Sequence, residues 1–134
     1  MIKYLLDTNT VIYTMKNRPQ QVRAKFKQHQ GQMAISTVTL GELIFGAEHS
    51  QQVERNLSDI EAMVARLEVL AFDSRAAHHF GQIRSALYKK GQPIGPYDMM
   101  IAGHARACGI VLVTSNLKEF ERVPGLLVEN WVQK

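Results

Sequence analysis

Apolar positions along this chain fall into short β-favouring runs separated by longer stretches whose apolar residues recur at helical spacing. The opening run predicts a strand over residues 2–6, and "QMAIST", "VLAF", "IVLVTS" and "LLVENW" predict four more, the last a small edge strand. Between them, Asn9 is placed to cap a helix through "TVIYTMKN" that Pro19 ends, and "QQVRAKFKQHQ" reads as a second helix stopping at Gly31. "TVTLGELIFGAEHS" carries Leu40, Leu43, Ile44 and Ala47 on one face, with Thr37 or Thr39 as its cap. Val53, Leu57, Ile60, Met63, Val64 and Leu67 form the stripe of a long amphipathic helix. A further helix runs from a Ser74 cap to Lys89, Lys90 and Gly91, and after the stiff turn "PIGPYD" another, "MMIAGHARACG", is ended by Gly109. Strands alternating with helices predict an α/β fold, a parallel sheet covered on both faces. No linker, repeat or low-complexity segment divides the pattern, so residues 1–134 are expected to form one domain.

Composition narrows the possibilities without choosing among them. At 46% hydrophobic and 21% charged residues the chain is globular, and no apolar run approaches the roughly 20 residues of a membrane span. "MIKYLLDTN" meets an acid too soon for a signal sequence, so a soluble, cytoplasmic protein is expected, with no membrane partner. The single cysteine, Cys108, has no cysteine neighbour for a disulfide or a zinc site and reads as a small hydrophobe in a helix. A net charge of +4 and a pI near 9.4 are compatible with a polyanionic partner but do not require one.

The acids are more informative. Open parallel sheets collect ligands beyond the carboxyl ends of their strands. Asp7 ends the first predicted strand, Glu42 lies one to two turns into the helix after the second, and Asp98 starts the helix leading into "IVLVTS". Asn116 and Glu119 follow that last long strand and reach the same edge. Two carboxylates about 4 Å apart at an effective dielectric near 20 repel by about 4 kcal/mol. Protonation relieves that cost, and so does a hard divalent cation caged by oxygen ligands; the second is favoured here. Such a constellation suits phosphodiester hydrolysis, with a spare carboxylate to orient or deprotonate water. Each acid also has a plainer account: Asp7 as a turn or cap, Asp98 as a charge favouring a helix N-terminus, Glu119 as surface. Glu42 sits among apolar neighbours in "LGELI", where a solvated helix face is a poorer explanation.

At these positions the sequence resembles the PIN-domain ribonucleases, and within them the VapC toxins of bacterial VapBC toxin-antitoxin modules, enterobacterial type. The matching stretches are "YLLDTNTVIY", "ISTVTLGELIFGAE", "GQPIGPYDMMIAGHA" and "LVTSNLKEFERVPGLLVENW", running from Tyr4 to Trp131. The resemblance implies a PIN-like three-layer α/β/α fold and a Mg²⁺- or Mn²⁺-dependent endoribonuclease. Its metal-binding acids would be Asp7, Glu42 and Asp98, and its implied substrate is initiator tRNA, cut in the anticodon stem-loop. Many PIN domains carry a fourth acid two residues after the threonine of the last long strand. Here that position is Asn116, so the fourth group is either Asn116, orienting a water or phosphate, or Glu119. Thr8, Asn9, Thr114, Ser115 and Asn116 are implied hydrogen-bonding neighbours of the acids. Implied too are a homodimer, a VapB-type antitoxin that wraps the toxin and sets a basic side chain in the acidic pocket, and a larger complex that reaches operator DNA only through the antitoxin.

Other features carry less. No two of His29, His49, His78, His79 and His104 have the spacing of a helical zinc site around a glutamate, and surface or partly buried roles are expected for all five. Among the cations, Arg84 and Lys118 are the first candidates to line an RNA path. Two competing functions remain: a phosphoacceptor receiver, for which Asp73 is the only candidate acceptor and Asp7 lacks the usual acidic neighbour, and a catalytically silent binding module that keeps the fold alone.

Overall fold

The computed structural model describes residues 1–16 and 20–132, the side chains of 20 and 21 excepted. The elements in chain order are β1 (Tyr4–Leu6), α1 (Thr8–Met15), α2 (Gln20–Gln28), β2 (Met33–Ser36), α3 (Thr37–Glu48), α4 (Val53–Val64), β3 (Glu68–Leu70), α5 (Ser74–Lys89), α6 (Pro96–Cys108), β4 (Val111–Val113), α7 (Leu117–Phe120) and β5 (Val128–Glu129). The strands form one five-stranded sheet in the order β3-β2-β1-β4-β5, and every neighbouring pair is parallel. The expected α/β architecture is therefore present, and the pairing of Tyr4 with both Met33 and Val111 puts β1 at the centre.

Strand periodicity explains the layers. Successive side chains of a strand point to opposite faces, so Leu5 and Leu6, both fully buried, enter different cores. Leu5 joins Ala34, Leu112, Ile83, Leu87, Met99 and Ile101 beneath α5 and α6. Leu6 joins Met33, Ile35, Val113, Val11, Phe26, Leu43 and Ile60 on the α1–α4 side. Each such apolar side chain contributes on the order of 2 kcal/mol by leaving water. At the far edge Trp131 is 2% exposed, stacks on His29 at 5.2 Å and donates from Nε1 to Glu129 Oε1 at 2.8 Å, which ties the end of the chain to the start of β1 through Tyr4.

Three helix starts differ from expectation in the same way. Asp7 rather than Asn9 caps α1, Ser36 rather than Thr37 or Thr39 caps α3, and Asp73 rather than Ser74 caps α5. In each case the polar residue still in the extended conformation takes the cap, and the one after it is already helical. Helix α2 stops at Gln28, short of Gly31, whose φ of +85° serves the turn that follows, and α4 ends at Val64 rather than Leu67. Gly91 and Gly109 take positive φ after α5 and α6 as expected. The expected stop at Pro19 lies outside the described residues. Cys108 is in a helix but exposed, and among the described residues no helix is long and apolar enough to cross a membrane.

Helices α5 and α6 pack backbone to backbone at Gly103, where a Cβ would lie 2.7 Å from the backbone nitrogen of Phe80. Gly103→Ala is expected to destabilise the protein by about 1–3 kcal/mol, because backbone must move. Gly81→Ala, with open space around it, is expected to be neutral or stabilising by up to about 1 kcal/mol. Thermal or urea denaturation of the two variants measures the contrast.

Candidate active site

Because all five strands are parallel, the ends of β1, β2 and β4 open on one edge of the sheet. Asp7 stands at the centre of that edge. Its backbone N–H donates to Val113 O at 3.0 Å, which holds it beside β4, and its Oδ1 accepts the Thr10 N–H at 2.8 Å. Thr10, itself buried, donates its hydroxyl to Val113 O at 3.2 Å. Asp7 is 5% exposed, and this burial raises its pKa above the usual carboxylate value; hydrogen bonding with Thr114 and Thr10 works in the other direction without cancelling it.

Glu42 comes from α3, which starts directly at the end of β2. The Thr8 hydroxyl donates to Glu42 Oε1 at 2.6 Å and lies 3.3 Å from the buried Thr39 Oγ1, so α1 and α3 are joined at the carboxylate. Asp98 arrives from the opposite side in the first turn of α6, after Gly95 as the cap and Pro96 at the helix start, where a missing N–H costs nothing. Its pKa is pushed up to about 6, first by desolvation and then by the charges of Asp7, Glu42 and Glu119. One carboxyl group thus senses three others from three different elements. Asp98 feels the charge of the other three acids, although among the described residues no group of three or more His, Cys, Asp or Glu side chains is placed closely enough to hold a metal ion.

The remaining expected site residues divide into those the structure draws in and those it does not. Thr114 is fully buried; its Oγ1 accepts the Asn116 N–H at 2.9 Å, which orders the turn from β4 into α7. Ser115 is half-buried in that turn, and Asn116 begins α7 without a side-chain capping bond. Glu119, the weakest candidate on sequence, is half-buried on α7 and raises the Asp98 pKa. Asn9 is exposed on α1. Arg84 is exposed on α5 with its guanidinium over Phe80 and Tyr88, and Lys118 is exposed beside Glu119. Sequence reasoning missed Thr10, which fixes Asp7, and undervalued Thr39. Two further threonines in "DTNT" and "STVT", each beside a strand end, were the available signal.

Asp73, the acceptor that a receiver would need, caps α5 with its Oδ1 accepting the Ala76 N–H at 3.0 Å, and this bond lowers its pKa. It follows β3 at the edge of the sheet, two strands or about 9.6 Å from β1. The charges that act on Asp98 do not include it.

Residues 4–126 match the PIN domain family. The chain is 55% identical over 131 residues to the tRNA(fMet)-specific endonuclease VapC of Salmonella typhimurium, covering 98% of this chain and 99% of that protein. The chain belongs to the VapC branch of the PIN-domain family. The VapC of Shigella flexneri, also a tRNA(fMet)-specific endonuclease, is 56% identical with the same coverage. Among solved structures, DNA-bound VapBC from Salmonella typhimurium superposes with a TM-score of 0.95 at 55% identity over 98% of this chain and 100% of that one. VapBC2 from Rickettsia felis, bound to a DNA fragment from its promoter, gives 0.92 at 36% identity over 98% and 100%. The sheet edge that gathers Asp7, Glu42, Asp98 and Glu119 is thus the edge of a VapC-type PIN fold.

A carboxyl group whose pKa is higher folded than unfolded binds more protons in the native state between the two values, so stability falls as pH rises through that window. For Asp98 the window runs from the ordinary 3.8 to about 6. In metal-free protein, Asp98→Asn is expected to raise the melting temperature at pH 7.5, with the gain shrinking toward pH 4.5. Melting curves of the two proteins across that range provide the check.

Proposed function

We propose that this protein is a divalent-cation-dependent endoribonuclease, the toxin of a VapBC module, that hydrolyses RNA phosphodiester bonds to stop translation. The carrying observation is 55% identity over nearly the whole chain to a tRNA(fMet)-specific endonuclease, and it is supported by an Asp98 carboxyl whose pKa is raised by the charges of Asp7, Glu42 and Glu119 as well as by burial. The substrate proposed is accordingly initiator tRNA, cut in its anticodon stem-loop.

Chemistry of the donor set supports a metal. All candidate ligands are hard oxygen donors, three or four of them carboxylates, the set that magnesium and manganese accept and that softer metals do not favour. Asp7, Glu42 and Asp98 would hold the ion, with Glu119 or Asn116 completing the shell directly or through water. When bound, the cation supplies Lewis acidity toward a phosphoryl oxygen and lowers the pKa of water. The chain's own residues do the rest. Asp7 is fixed by the first turn of α1, Glu42 is aimed by the Thr8 hydroxyl, and Thr114 steadies the turn carrying Asn116 and Glu119. Asp98, its pKa pushed up to about 6 by burial and by the charges of Asp7, Glu42 and Glu119, is suited to orient the attacking water or take a proton from it. Arg84 and Lys118 are proposed to meet substrate phosphates.

The same reading assigns one PIN domain to residues 1–134, a homodimer, a cytoplasmic location and neutralisation by a VapB-type antitoxin that carries operator binding for the complex. Labelled initiator tRNA incubated with the purified protein is expected to be cut in Mg²⁺ or Mn²⁺ and left intact in EDTA. Asp7→Asn and Asp98→Asn are each expected to lower the rate by about a hundredfold or more. Undiminished cutting by both variants, or cutting in EDTA, would overturn the proposal.

A further inference from the structure

The acid-bearing helices α3 and α6 are joined away from the acids by one buried polar contact. His104 is 2% exposed in a helix whose neighbouring residues Met99, Ile101, Ala102, Gly103, Ala105 and Ala107 are also buried. A polar ring in such surroundings costs free energy unless it is hydrogen-bonded. Its Nδ1 lies 2.8 Å from Ser36 Oγ, which is fully buried and caps α3 by accepting the Val38 N–H at 3.1 Å. The Ser36 hydroxyl, which already accepts from Val38, can give its hydrogen to the ring nitrogen or accept a second bond from it, according to the imidazole tautomer. Phe72 closes the pocket, its ring edge-on to His104 at 5.7 Å.

The register of this contact matters. Ser36 precedes Glu42 by six positions, and His104 follows Asp98 by six. Ser36 meets His104 at one end while Glu42 acts on Asp98 at the other, so α3 and α6 pass each other in opposite senses. Each acid stands about 9 Å along its helix from the contact. A shift or rotation of either helix at Ser36 and His104 is carried rigidly to the two carboxylates, which repel and would otherwise part. Gly103, pressed against the Phe80 backbone on the neighbouring side of α6, leaves that helix little freedom to compensate.

We propose that His104 is a positioning residue, whose hydrogen bond with Ser36 sets the separation of Glu42 and Asp98 and thereby the affinity of the site for a divalent cation. This rests on the metal-dependent reading above and adds a residue that touches neither ion nor substrate.

Calorimetric titration of RNA-free protein with Mn²⁺ tests it, with circular dichroism and melting curves to establish folding. His104→Leu, which keeps bulk and loses the ring nitrogen, is expected to weaken Mn²⁺ binding about tenfold or more, whereas His104→Asn, whose amide can donate or accept near the Nδ1 position, is expected to stay within about threefold of wild type. Ser36→Gly removes the hydroxyl yet leaves a residue tolerated at a helix cap, and should lose affinity as His104→Leu does. The double variant should be no weaker than the worse single, as for two groups sharing one bond. In single-turnover cleavage the loss should fall on the Mn²⁺ concentration needed, with the rate at saturating Mn²⁺ changed less. Unchanged Mn²⁺ binding in a folded His104→Leu or Ser36→Gly protein, or additive losses in the double variant, would overturn the inference. If Leu at 104 prevents folding, Ser36→Gly and His104→Asn carry the test by themselves. A wild type that binds Mn²⁺ but cuts no RNA would refute the proposed function and leave this inference standing on the titrations; a wild type that binds no Mn²⁺ would refute both.

Discussion

Carboxylates drawn to one edge of a parallel sheet repel one another, and the fold holds them there against that force by tying each to a different rigid element. Asp7 is gripped by the first turn of α1 and by β4, and Glu42 by Thr8 across the α1–α3 junction. Among the described residues Asp98 has no such bond of its own. It is delivered by α6, a helix buried on nearly every side and seated on α5 through a glycine with no room for a methyl group. The least tethered acid therefore rides on the most firmly packed helix, and its raised pKa is the mark of the work done to keep it in place.

Much of this was legible in the sequence because it follows from periodicity. Short apolar runs alternating with amphipathic stretches give parallel strands, and parallel strands put Asp7, the helix of Glu42 and the turn before Glu119 on a common edge without any knowledge of side-chain contacts. Leu5 and Leu6 show how little is needed: two adjacent apolar residues in a central strand already imply helices on both faces. The resemblance carried by "YLLDTNTVIY", "ISTVTLGELIFGAE" and "GQPIGPYDMMIAGHA" points to the same Asp7, Glu42 and Asp98 that the strand-end rule selects.

The rest depended on distinctions that a sequence does not encode residue by residue. In "LDTN", "STVT" and "FDSR" two or more good capping residues stand together, and only the backbone conformation at the strand's end picks Asp7, Ser36 and Asp73. His104 was assigned to a surface or partly buried role with the other histidines. The apolar residues around it in "MMIAGHARAC" leave no polar face to turn outward, and that was the clue to its burial. Glu119 could not be promoted from sequence because a four-residue helix has too short a pattern to show which side it buries. The receiver alternative was separable only by strand order, which places Asp73 at the sheet's edge.

Asp7 serves two masters, since the oxygen that begins α1 belongs to the same group that helps to gather charge. An asparagine there keeps an acceptor for the Thr10 amide and surrenders only the charge, so selection for a folded chain would by itself preserve an aspartate or its amide at this position. Asp98 enjoys no such protection: its ionised form burdens the native state, and drift toward a neutral residue would be rewarded in stability. In descendants freed from the need to act, residue 7 should drift no further than asparagine, which still begins the helix, whereas residue 98 should drift widely.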